Sequence, residues 1–68
     1  MAKVDSSYYS LYLLGYLKET ENPLAEDAEF INARAELAGQ EFENNRLLGL
    51  EAYQAEEFAM EVLMAGFE

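Results

Sequence analysis

The hydrophobic pattern is densest between residues 8 and 17, Tyr8-Tyr9-Ser10-Leu11-Tyr12-Leu13-Leu14-Gly15-Tyr16-Leu17. On a helical wheel at about 100° per residue, Tyr8, Tyr12, Tyr16 and Tyr9 share an arc of about 100°. Leu13 and Leu17 extend that arc, Leu11 and Leu14 lie round the back, and only Ser10 and Gly15 interrupt the girdle. A surface helix needs one apolar stripe; a helix apolar all round has to be covered on more than one side. A buried strand is the rival reading of a Tyr and Leu run. The run alternates poorly and the rest of the chain offers no second strand to pair with, so a helix is expected.

Punctuation around this stretch sets its ends. Residues 1 to 5 are expected to be frayed, and Asp5, Ser6 and Ser7 are all good N-cap types ahead of the apolar run. Thr20-Glu21-Asn22-Pro23 ends the helix near Glu19, because proline cannot sit in a helix interior and biases Asn22 away from helical backbone. The next stripe, Ile31, Ala35, Ala38 and Phe42, is widened by Phe30 and Leu37. Its helix starts at Asp27 as N-cap, with Asn22 followed by Pro23 as the alternative start. Ala33, Ala35, Ala38 and Gly39 are small enough to let another helix come close. After Asn44-Asn45-Arg46 the pattern fades, and Gly49 suits the left-handed position that follows a helix.

The third stripe is the most regular: Ala55, Phe58, Ala59, Val62, Leu63 and Gly66, with Glu56, Glu57 and Glu61 opposite. The pattern therefore predicts an all-α fold, a small three-helix bundle with helices at roughly 8–19, 27–45 and 52–65. Short connections make neighbouring helices antiparallel. The expected core is Leu13, Leu17, Ile31, Ala35, Phe42, Phe58, Ala59, Val62 and Leu63.

Composition narrows the functional field. Sixty-eight residues make one domain, and a chain this short is marginally stable alone. It has no cysteine and no histidine, so neither a disulfide nor a thiolate or imidazole metal site holds it together. The net charge is −10, and its only cations are Lys3, Lys18, Arg34 and Arg46. Phosphate binding rests on clustered Lys and Arg, so direct nucleic-acid binding and anionic membrane surfaces are not expected. No signal peptide is visible and the apolar run is too short to span a bilayer, which reads as a cytoplasmic protein.

Chemistry is sought and not found. Di-iron bundles need Glu-x-x-His pairs, which are absent here. Glu26-Asp27-Ala28-Glu29 does not make a calcium loop. Paired tyrosines such as Tyr8-Tyr9 act as nucleophiles only beside a metal or arginines that hold the phosphate. No serine sits with a base and no glycine-rich phosphate loop exists, so no catalytic, metal or cofactor residue is assigned and no small-molecule substrate is expected. What remains is surface. Tyr8, Tyr9, Tyr12 and Tyr16, with Met60 and Met64, form a candidate partner surface, because tyrosine is amphipathic and methionine adapts. The same residues also read as core helix with snorkelling hydroxyls and as gap-filling methionines. Glu56, Glu57 and Glu61 form a candidate acidic face, which also reads as plain solvated surface.

The chain resembles the bacterial domain-of-unknown-function family numbered 1896. The resemblance runs through Tyr9 to Glu19 and Pro23, then Asp27-Ala28-Glu29-Phe30-Ile31, Arg34-Ala35 and Gly49, and closes with Ala55, Ala59, Glu61-Val62-Leu63 and Gly66-Phe67. It implies a small helical protein of Bacteroides-type bacteria, associated with mobile elements, in a family whose members tend to be longer; Phe67, after Gly66, reads either as part of an N-terminal fragment of a longer protein or as a cap on the bundle. It implies no activity and no site. The expected function is a protein–protein interaction or oligomerisation module, a homodimer by preference. The alternative is a nucleic-acid mimic that occupies a basic groove.

Overall fold

The computed structural model describes residues 6–67; residues 1–5, with the N-cap candidate Asp5, and Glu68 lie outside the described residues. The fold is all-α: α1 Ser7–Glu19, a 3₁₀ turn Pro23–Glu26, α2 Ala28–Leu47 and α3 Ala52–Leu63. No strand occurs among the described residues. α2 packs against both other helices, most extensively against α3. Tyr9 and Tyr16 reach Glu56 and Phe67 in the same chain order, so α1 and α3 run in one general direction.

Local chemistry explains each boundary. α1 closes on a double turn: the Asn22 N–H donates to the Leu17 carbonyl at 2.8 Å and the Glu21 N–H to that of Lys18 at 3.1 Å. This is a Schellman closure, and it puts Glu21 in left-handed backbone at φ 56°. The two starts weighed for the second helix are both used. The Asn22 side chain accepts from the Leu24 N–H at 2.9 Å and opens the 3₁₀ turn, with Pro23 in its first position. The Asp27 side chain accepts from the Phe30 N–H at 3.1 Å and opens α2. α2 runs two residues past the expected 45, because its own Schellman closure lies later: the Leu50 N–H reaches the Asn45 carbonyl, with Gly49 at φ 97°. The Glu51 N–H meets the Gln54 side chain at 3.1 Å where α3 begins. α3 ends at Leu63 rather than Ala65, in a turn that leads to Gly66 at φ 90°.

The core runs along one face of each helix: Tyr9, Leu13 and Leu17 from α1, Ile31, Ala35 and Ala38 from α2, and Ala59, Leu63 and Met64 from α3 and its end. Ala35, Ala38 and Gly39 are buried, which is the close approach that small residues permit. Of the expected core, Phe42 and Val62 are half-buried. Phe58 is a correction: it is 42% exposed, at the edge of the α3 stripe, about 100° round the helix from buried Ala59. The body is flattened, 37 × 24 × 14 Å, and α1 keeps part of its apolar girdle outside. Among the described residues no helix is long and apolar enough to cross a membrane.

Candidate interaction surface

The tyrosine arc of α1 is divided between inside and outside. Tyr9 is 3% exposed and donates its hydroxyl to Glu56 Oε1 at 3.0 Å. Burial first, and then the Glu56 carboxylate beside it, push the Tyr9 phenol above the ordinary tyrosine range. Tyr16 is half-buried and donates to the Phe67 carbonyl at 2.8 Å. Tyr8 and Tyr12 face out, 56% and 47% exposed. The Tyr8 ring stands edge-on to Tyr9 at 5.2 Å between centroids and lies 6.5 Å from Tyr12.

Two corrections follow for the expected partner surface. Tyr9 belongs to the core, because its place on the helix aims it at α3 and Glu56 gives its hydroxyl a partner. Met64 is buried too: as the C-cap of α3 its N–H still bonds to the Met60 carbonyl, so it continues the helix beside buried Leu63 and joins the core, while Met60 is half-buried against the core. The acidic face shrinks likewise: Glu57 and Glu61 are exposed, whereas Glu56 is half-buried and bonded to Tyr9.

The structure adds residues that sequence reading had not put on the surface. Leu11 is 70% exposed, between Tyr8 and Tyr12. With exposed Gly15 these residues make a stripe, 8, 11, 12 and 15, at the spacing of one helix face. The signal was present in the wheel, which placed Leu11 opposite Leu13. Lys18 and Glu19 lengthen the stripe by one turn. Along it lies a hollow of about 370 Å³, lined by Leu11, Tyr12, Gly15, Tyr16 and Glu19. A second hollow, about 230 Å³, opens where α1 meets the 3₁₀ turn and α2, against Leu11, Leu14, Ala25 and Ile31. Among the described residues no cluster of acidic, histidine or cysteine side chains has the make-up to hold a metal ion.

A family model described as a domain of unknown function, DUF1896, matches residues 1–68. The chain belongs to this family. No curated protein and no solved structure matches the chain significantly. The DUF1896 fold in this chain is fastened at its end by Arg34. Its guanidinium donates to the carbonyls of Val62, Leu63 and Ala65 at 3.3, 3.2 and 2.9 Å, and lies over the rings of Phe30 and Phe67 at 5.1 and 5.8 Å. A cation there meets the negative end of α3 and holds Phe67 in place. This DUF1896 chain therefore spends Tyr9, Tyr16 and Arg34 on tying α1 and α2 to α3, and leaves Tyr8, Leu11 and Tyr12 outside.

Proposed function

We propose that the chain is a protein–protein interaction module, without catalysis of its own, whose contact surface is the outward face of α1. One observation carries this reading: Tyr8, Leu11 and Tyr12 are exposed together on a stretch, Ser6 to Leu17, that has no charged side chain, in a chain of net charge −10. Contiguous exposed apolar surface with aromatic anchors is what protein interfaces bury. A photo-crosslinking residue placed at Leu11, in cells that make the protein, is expected to link it to protein; the same residue at exposed Ala33 on α2 is the control. Equal labelling at both positions, or none at Leu11, removes the reading.

The mimic of nucleic acid has weaker support. It rests on Glu57 and Glu61, exposed on α3, with Glu56 turned toward Tyr9. Salt-sensitive binding to a basic protein that is lost when both become glutamine would favour it over the α1 reading.

A further inference from the structure

We infer that the occupant of this face is a second copy of the chain, set so that the two α1 helices run antiparallel and cross at Gly15. The inference rests on the reading of α1 as an interaction surface and names the partner.

Gly15 is the first ground. It lies mid-helix, where glycine is among the worst residues, and a Cβ built on it would meet nothing within 4 Å. Among the described residues, nothing in the packing asks for glycine there. It floors the hollow between Leu11, Tyr12, Tyr16 and Glu19. A missing side chain on the outside of a helix lets another backbone come close.

The second ground is the symmetry of the stripe about that glycine. Exposed Tyr12 and Lys18 lie three residues to either side, and Leu11 and Glu19 four. A two-fold interface is built from one patch that is complementary to itself. In an antiparallel pair centred on Gly15, heights before the glycine meet heights after it, and each flank of the stripe meets the same flank of the other copy. Leu11 and Lys18 are seven apart and share one flank; Tyr12 and Glu19 are seven apart and share the other. The Lys18 methylenes of the second copy then cover Leu11, and its Glu19 meets the Tyr12 hydroxyl.

Charge is the third ground. The face carries one cation, Lys18, and one anion, Glu19, so its sum is zero on a chain of −10. Two copies that approach by this face bring no net charge together locally, whereas carboxylates crowd most other approaches.

The test uses the full chain, whose lack of cysteine makes introduced thiols unambiguous. Sedimentation at about 100 µM is expected to give twice the 7.7 kDa chain mass. Gly15→Leu and Leu11→Glu are each expected to weaken association at least tenfold, with helix content unchanged by circular dichroism. Under mild oxidation Gly15→Cys should link to itself. Leu11→Cys should link to Lys18→Cys when the two are mixed, and not to itself, because a disulfide needs Cα atoms within about 7 Å. Self-linking of Leu11→Cys marks a parallel pair and overturns the inference. A monomeric wild-type chain overturns it as well, and Leu11 crosslinks to a different protein would then leave the broader reading standing. Failure of both tests removes that reading too.

Discussion

Glu21 is held in left-handed backbone, φ 56°, to close α1. A side chain bearing a Cβ costs about 1–2 kcal/mol in that region, and glycine does not. Glu21→Gly is therefore expected to stabilise the fold by about 0.5–1 kcal/mol, since some of the relief is lost to the freer unfolded chain. Urea unfolding followed by circular dichroism measures it; a destabilised variant would mean that the Glu21 side chain contributes something its backbone does not reveal. Tyr9 gives a second residue-scale prediction, in pH. Its phenol is raised in the folded chain by burial and by Glu56. A group whose folded pKa lies above its unfolded value, about 10 for tyrosine, stabilises fully below that value. The contribution is lost as pH rises through the folded pKa. Stability should thus fall above about pH 10, and less so in Tyr9→Phe. At pH 7 that variant should cost about 1 kcal/mol, the loss of one hydrogen bond whose acceptor can still reach water.

At the scale of elements, α1 and the middle of α2 were legible because period alone places Leu13, Leu17, Ile31, Ala35 and Ala38 on facing stripes. Period says which residues share a face, and not how many neighbours cover it. Phe58 shares the α3 stripe and stays 42% exposed for that reason. Tyr8 and Tyr9 are adjacent and alike in chemistry, yet about 100° of rotation sends one to solvent and one to the core. The end of α3 was not legible, because the group that satisfies its carbonyls, Arg34, lies about thirty residues earlier in the chain. That contact predicts that Arg34→Ala destabilises by about 2–3 kcal/mol, combining charged hydrogen bonds with two ring contacts. Arg34→Lys should recover only a part: all three carbonyls are met from one nitrogen, Nη1, which an ammonium can replace, but an ammonium lacks the planar face that lies over Phe30 and Phe67. A smaller loss in the lysine variant than in the alanine one would fit; full rescue by lysine would reduce the role of Arg34 to charge and hydrogen bonding alone.

For the whole molecule, fourteen acids against four bases set the sign of every long-range interaction. Self-repulsion of that size works against the compact state and against the meeting of two copies. Salt weakens it, since the screening length falls from about 30 Å at 0.01 M to about 10 Å at 0.1 M. Burial of Tyr8, Leu11 and Tyr12 in an interface is apolar and hardly weakened by salt. Association through α1 should therefore tighten as salt rises, by about tenfold between 0.02 and 0.5 M if the repulsion removed is worth about 1.4 kcal/mol. A cationic partner gives the opposite slope, because its attraction is screened over the same range. So does a basic groove occupied by Glu57 and Glu61. Sedimentation of the full chain across a sodium chloride series reads the sign of that slope directly. An α1-mediated pair whose affinity falls with added salt would show that charge, and not the apolar stripe around Gly15, draws its members together.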